Sequence, residues 1–223
     1  MSQAIEAIAY HGWGFDQQCW ASWKTHFAEH GIALQTFDRG YFGESHAAKF
    51  ANHSHKVVMV HSYGLHLCPP EHLSQADLLV IFASFVQFHP QGERDKRRSQ
   101  RVLQQMIQGC QQHPQAVLDQ FYTNCGLPPD HDLRNRTVTN HDQLVIDLQG
   151  LNTARFEIHQ LNSIPNIVIF HGVMDQIVPH SKGEEWLESL PNQTDLFLIS
   201  NAEHALPFTH THECWQTLSE KFL

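Results

Sequence analysis

The sequence is poor in the features that mark membrane, nucleic-acid-binding and disulfide-framed proteins. No apolar run approaches the ~20 residues that a membrane-crossing helix needs. Charged residues make up only 17% of the 223, and Lys and Arg number 14 against 23 Asp and Glu, a net charge of -9. So acidic a chain lacks the overall basic surface that phosphate backbones attract, which argues against nucleic acid as a partner. The five cysteines (Cys19, Cys68, Cys110, Cys125, Cys214) are odd in number, scattered and without C-x-x-C spacing. They are expected as reduced thiols in a cytoplasmic compartment. Met1 leads almost directly into a strand-like run, so no signal peptide is expected. Metal motifs are also missing. Two H-x-H pairs, His53/His55 and His210/His212, have no H-E-x-x-H or Cys/His quartet beside them. The 19 histidines are therefore read without a metal.

What is present is a hydrophobic content of 41%, enough for one sizeable core and an inserted subdomain. Six short apolar runs read as strands: Ile5 to Tyr10, Ile32 to Phe37, Val57 to Val60, Leu78 to Ser84, Asn166 to Phe170, and Asp195 to Ser200. Continuous apolar runs separated by helical or loop crossovers indicate a parallel sheet covered on both faces. Helices are expected within Asp16 to His30, at Ser181 to Leu190 and at Glu213 to Leu223. Between the fourth and fifth strands the pattern turns helical, at Arg94 to His113, Pro114 to Cys125 and Asp142 to Leu161. This places a core at 1–88 and 165–223 and a helical cap at 89–164.

Chemistry concentrates where strands end. Val57 to Pro69 reads VVMVHSYGLHLCP, a buried strand, then the tight turn His61-Ser62-Tyr63-Gly64 and a short helix cut by Pro69-Pro70. A serine at such a turn is held clear of the sheet with backbone N–H groups beside it, the arrangement of G-x-S-x-G. Val60 stands where that motif has its first glycine, which leaves the packing behind Ser62 open. His11-Gly12-Trp13-Gly14 follows the first strand, HGVMDQIVP with Asp175 follows the fifth, and NAEHA with His204 follows the sixth. Functional groups of open α/β sheets gather at this carboxyl edge. Ser62, Asp175 and His204 also occur in the chain order of one known catalytic triad. Asp38 and Ser45 read as loop-ordering residues. His61 and His66 read as packing or surface residues, since neighbours in a strand point to other faces.

Taken together, HGWGFD with Trp20, DRGYFGES, HSYG, HGVMDQIVP and AEHALPFTHTHECW resemble the α/β-hydrolase superfamily over nearly the whole chain. Within it, the C-terminal segment and the cap's size resemble the pimeloyl-[acyl-carrier-protein] methyl ester esterases of biotin synthesis. The resemblance implies a six-stranded α/β-hydrolase fold with a helical lid, Ser62 as nucleophile, His204 as base and Asp175 as its partner. It implies backbone N–H groups of Trp13 and Tyr63 as the oxyanion hole, with no cofactor and no metal. Trp13, Tyr63, Phe85 and Phe88 are candidates to line an acyl channel, although aromatic residues near a sheet edge also serve as plain core. The implied reaction is hydrolysis of a carrier-bound pimeloyl methyl ester to methanol and a free carboxylate, by a monomeric enzyme. Alternatives are another Ser-His-Asp esterase, thioesterase or C–C hydrolase, a non-catalytic binding module, and a histidine-rich metal binder.

The partner has its own signal. Arg94, Arg97, Arg98 and Arg101 fall on one helix face, with Leu103, Met106, Ile107 and Cys110 repeating the same spacing opposite, on the side able to cover the site. From Pro90 to Gln160 there are eight basic and eight acidic residues, so the net negative charge lies outside the cap. A solvated helix face accounts for such a stripe. Such faces are common; docking of an acidic acyl-carrier protein there is the expectation the resemblance adds.

Overall fold

A computed structural model describes residues 4–51, 55–190 and 194–222. His53, of the first H-x-H pair, lies outside these residues, as do Met1 and Leu223. The strands are β1 (Ile5–Tyr10), β2 (Ala33–Thr36), β3 (His55–His61), β4 (Leu78–Phe82), β5 (Asn166–Gly172) and β6 (Thr194–Ile199). They form one sheet in the order β2-β1-β3-β4-β5-β6, and every neighbouring pair is parallel. The expected six-stranded α/β sheet with helices on both faces is what the chain forms.

Alternation along the strands explains why both faces are covered. Ala7, Ala9, Val57, Met59, Leu78, Val80, Phe82, Val168 and Phe170 belong to one buried cluster, while Ile8, Tyr10, Val58, Val60, Leu79, Ile81, Ile167 and Ile169 belong to the other. On the first face lie α1 (Ala21–Glu29), with Trp23 and Phe27, and α9 (Thr211–Phe222), with Cys214 and Trp215. On the second lie α2 (Gly64–Leu67), α3 (Pro70–Leu73) and α7 (Ser181–Ser189), which contribute Leu65, Leu73 and Trp186. Burial of each large side chain contributes ~1.5–3 kcal/mol. Pro69 and Pro70 do split the elbow helix, and Pro70 opens α3 at a position where its missing N–H costs nothing.

The cap contains α4 (Glu93–Gln112), α5 (Pro114–Asn124) and α6 (His141–Gly150). Leu103, Ile107 and Cys110 of α4 are buried and its four arginines are exposed, as the spacing predicts. The cap has no separate core, for Leu103, Leu118, Leu144 and Leu148 belong to the same cluster as the first face of the sheet. The helix expected over Asp142 to Leu161 is shorter. It stops at Gly150, where Asn152 and Thr153 favour a turn over a further helical turn. The chain then runs back beside β4's exit, with the Phe156 N–H donating to the Val86 carbonyl at 2.7 Å. A 3-10 turn, Ile158–Leu161, buries Leu161 on the opposite sheet face. A short helix α8 (Leu206–Thr209) precedes α9.

Candidate active site

From β1 the chain turns to β2 on one side, and from β3 it proceeds to β4, β5 and β6 on the other. The carboxyl ends of β1 and β3 thus flank the point where strand order reverses, the usual place for a ligand on an open parallel sheet. Ser62 stands there, immediately after β3, in the left-handed region at φ 52°. For a residue with a Cβ that conformation costs ~1–3 kcal/mol and persists only where the surroundings enforce it. They do so here. The Ser62 N–H donates to the Phe82 carbonyl at 2.9 Å, and the Ser84 hydroxyl donates to the Ser62 carbonyl at 2.7 Å. Gly64 permits the turn to approach β1, since a Cβ there would lie 2.4 Å from the Tyr10 carbonyl oxygen. Val60, in place of the motif's first glycine, is fully buried in the same cluster as Leu65 and Cys68. The elbow helix is one turn long, its Gly64 lies against the β1 backbone, and its Leu65 shares the Val60 cluster.

The other two members come from the loops after β5 and β6. The His204 Nε2 lies 3.0 Å from the Ser62 Oγ, and the His204 Nδ1 lies 2.8 Å from the Asp175 Oδ2. Asp175 Oδ1 accepts from the backbone N–H groups of Ile177 at 2.8 Å and Val178 at 2.9 Å. Gly172 lets the His204 loop lie against the end of β5, for a Cβ there would be 2.3 Å from the Ala202 carbonyl oxygen. Ser62, Asp175 and His204 are all buried. Burial alone would raise the pKa of Asp175. The charge and hydrogen bonds of His204 and His171 outweigh it and hold the carboxyl well below the usual carboxylate range. In the neutral tautomer whose Nδ1–H donates to Asp175, Nε2 carries no proton and faces the serine hydroxyl. This is the arrangement that can activate an alcohol as a nucleophile.

The remaining predicted residues fall in two places. Trp13 is buried under the cap, its indole N–H donating to the Leu144 carbonyl at 2.8 Å and its ring 5.0 Å from that of Phe121. Its side chain therefore braces the β1 loop against α5 and α6. Among the described residues, neither the Trp13 nor the Tyr63 backbone N–H donates to a protein acceptor. On the other side, Tyr63, His66, Phe85 and Phe88 form a file of rings, with successive centroids 5.5, 4.8 and 5.4 Å apart. Phe88 reaches a groove of about 410 Å³ at the cap's base, which Lys96, Leu151 and Arg155 also line. The apolar face of α4 packs on α5 and α6, and the side chain over His204 is Phe121 of α5, at 6.4 Å between rings. His66 spends its Nε2–H on the Phe85 carbonyl, and burial holds its pKa down to about 4. Asp38 does order its loop, accepting from the N–H groups of Gln17 and Gly40.

Three residues of consequence went unread in the sequence. Arg39, in the loop after β2, donates from Nε and Nη2 to Asp147 of α6 at 2.7 and 2.8 Å, and the Tyr41 hydroxyl donates to the same carboxylate at 2.8 Å. This latch, with Asp147 and Tyr41 buried and Arg39 half-buried, ties the DRGY loop to the cap. A signal for it existed: Asp147 falls on the helix face of Leu144, Leu148 and Leu151, where a carboxylate needs a partner.

Among the described residues no group of three or more His, Cys, Asp or Glu side chains could hold a metal ion. All five cysteines are free and buried. Nor is any helix of the described residues long and apolar enough to cross a membrane. No family model matches the sequence, and no curated protein matches it. Solved structures do match in shape. A bromoperoxidase from Bacillus anthracis is 19% identical, with a TM-score of 0.74, over 98% of this chain and 91% of the other. An esterase from Exiguobacterium antarcticum is 14% identical, with a TM-score of 0.77, over 99% and 92%. An enol-lactonase from Burkholderia xenovorans is 12% identical, with a TM-score of 0.76, over 98% and 91%. At these identities the likeness is one of fold, the α/β-hydrolase fold with its inserted helices.

Proposed function

We propose that this chain is a serine hydrolase of carboxylic esters, with Ser62 as nucleophile, His204 as general base and acid, and Asp175 as the histidine's anchor. The observation that carries this reading is the continuous relay from Asp175 through His204 to a serine held at φ 52°. In the first half-reaction the Ser62 Oγ attacks the ester carbonyl while the His204 Nε2 takes its proton. The C–O bond then breaks, and the same proton passes to the departing alcohol. In the second half-reaction His204 takes a proton from water, whose oxygen attacks the acyl-serine. Ser62 recovers its hydrogen as the acid leaves. The backbone N–H groups of Trp13 and Tyr63 serve the developing oxyanion, each donor contributing about 2.7–4 kcal/mol to barrier lowering.

Names attached to chains of the same shape include esterase and enol-lactonase, and this spread favours the broader reading, an esterase or thioesterase of medium-chain acyl groups. The narrower reading is the methyl ester of pimeloyl-acyl-carrier protein, cleaved to methanol and the carrier-bound acid. Its support is the sequence motifs, the file of rings from Tyr63 to Phe88 and the exposed arginines of α4. A fluorophosphonate tests the broad reading, with stoichiometric labelling of Ser62 expected and failure to label overturning it. Parallel assays on a carrier-bound pimeloyl methyl ester, the free dimethyl ester and acyl thioesters test the narrow one. A preference of at least tenfold in kcat/KM for the carrier-bound ester is expected, and equal turnover of free esters would leave only the broad reading.

A further inference from the structure

His61 and His171 occupy equivalent places, at or beside the carboxyl ends of β3 and β5, and both are fully buried. Each spends its Nε2–H on a backbone carbonyl of a loop that carries a member of the triad. His61 Nε2 donates to the His204 carbonyl at 3.0 Å, across 143 residues of sequence. His171 Nε2 donates to the Val178 carbonyl at 2.8 Å and lies 3.6 Å from the Asp175 Oδ2. The Val178 N–H is in turn one of the two that hold Asp175. Both rings leave Nδ1 buried with no partner among the described residues. The Nε2–H bond is therefore what the His61 ring contributes that a hydrocarbon of the same volume would not, and the His171 ring adds to that bond its interaction with Asp175. The His61 ring also lies 4.9 Å from the His204 ring and is closed in by Phe15 and Phe208.

We propose that His61 and His171 are positioning residues, two imidazoles beneath the triad that fix the His204 loop and the Asp175 loop to the strand ends carrying Ser62 and Gly172. This rests on the serine-hydrolase reading and deepens it. Because His61 directly precedes Ser62, its bond couples the nucleophile's strand to the base's backbone without any contact with substrate. Loss of that bond frees the His204 carbonyl to drift relative to Ser62, and misplacement of a catalytic group by about 1 Å can cost ~100-fold in rate. The lone pair left on Nδ1 also explains the charge state of His61. A second N–H would be buried without an acceptor, and burial first, then His204, hold its pKa well below the ordinary histidine value.

Asparagine and glutamine discriminate this role from mere packing. The amide nitrogen of glutamine reaches the place of Nε2, whereas that of asparagine stops near Nδ1. His61→Gln should keep kcat within about fivefold of wild type, and His61→Asn should lower it by about 10–100-fold with KM within twofold. His171→Gln and His171→Asn should repeat the contrast. The low-field proton shared by His204 and Asp175, followed by NMR, should persist in wild type and in both glutamine variants and broaden in both asparagine variants. Equal activity of each Gln and Asn pair, or an unaltered low-field proton in the asparagine variants, would overturn the proposal. A wild-type protein that fluorophosphonate fails to label would instead overturn the hydrolase reading, so the two failures are distinguishable.

Discussion

The strand-end site and the cap above it are held by opposite means. At the site, each functional group sits within a few residues of a strand end, and short backbone bonds fix it. Ser62 is held by Phe82 and Ser84, Asp175 by Ile177 and Val178. The cap has fewer such backbone bonds to the core, among them Thr139 to Tyr41 and Ala205 to Cys125. Its helices share the sheet's apolar cluster, and long-range side-chain bonds help register it to the core, including Arg39 to Asp147, Tyr41 to Asp147 and Trp13 to Leu144. Apolar packing fills volume but fixes orientation weakly, whereas a bidentate guanidinium–carboxylate bond is directional. The sheet thus fixes the relative places of Ser62, Asp175 and His204, all of them buried, while the orientation of the cap rests on bonds across to the core.

Changes at the strand ends should abolish turnover and spare the fold. Ser62→Ala should lower kcat by about 10⁴–10⁶-fold. Its melting temperature should match or exceed that of wild type, because alanine removes only the hydroxyl at a strained position. Retention of even a few per cent of activity would mean that the relay from Asp175 does not end on the nucleophile.

Asp175→Asn should follow, with a fall of about 10⁴ in kcat, since an asparagine cannot hold the His204 tautomer. Asp38→Asn, which disturbs only a loop, should change kcat far less, and a reversal of that order would move the acid to the β2 loop. Asp175 also has a pH signature. Its native pKa is depressed, so its contribution to stability is complete above the unfolded value of ~3.9 and is lost as pH falls through the native one. Below about pH 4, wild type should therefore lose melting temperature more steeply than Asp175→Asn.

The same contrast separates what was legible in the sequence from what was not. The inner strands were readable because a doubly buried strand is an unbroken apolar run, while the edge strands β2 and β6 are partly exposed; Ser62, Asp175 and His204 stood out because each lies within five residues of a strand end. The Arg39–Asp147 latch spans 108 residues and has no local signature beyond a carboxylate on an apolar helix face. His61 looked like a packing residue for the same reason, its partner being a backbone carbonyl of a distant loop. The helix expected past Gly150 follows from apolar residues at helical spacing, Leu151, Ala154, Ile158 and Leu161, and the competing turn at Asn152 and Thr153 stops it.

Breaking the latch should produce the reverse of the Ser62 result. Arg39→Ala leaves Asp147 buried with only Tyr41 and Gln143 as donors, and should cost about 1.5–3 kcal/mol of stability by chemical denaturation. Combining Arg39→Met and Asp147→Leu with Tyr41→Phe, which removes the hydroxyl that would lose its acceptor, should restore much of that stability, because an ion pair with a buried carboxylate gains little over well-packed apolar groups. If the cap's register matters for entry, the triple variant will recover most of its stability yet show a raised KM. Wild-type KM in that variant would show that apolar packing alone orients the cap.

The smallest effect on the fold is expected on the cap's outer face. Arg94, Arg97, Arg98 and Arg101 are exposed along α4, and exposed charges contribute little to stability. Among the described residues Arg97 donates only to the Glu93 carbonyl of its own helix. The α4 stripe nevertheless gives an otherwise acidic protein a local basic surface, and attraction between opposite patches acts mainly on the rate of encounter. Converting Arg97 and Arg98 together to glutamate should leave melting and the hydrolysis of a small free ester nearly unchanged. For a carrier-bound ester the same pair should raise KM several-fold and flatten its dependence on salt, since the charges that salt screens would be gone. KM rises for the large acidic substrate alone if the stripe is a docking surface, and for neither substrate if it is only the wetted side of an amphipathic helix. An equal rise for both would mean that the charge reversal has shifted the cap, which returns its effect to the latch.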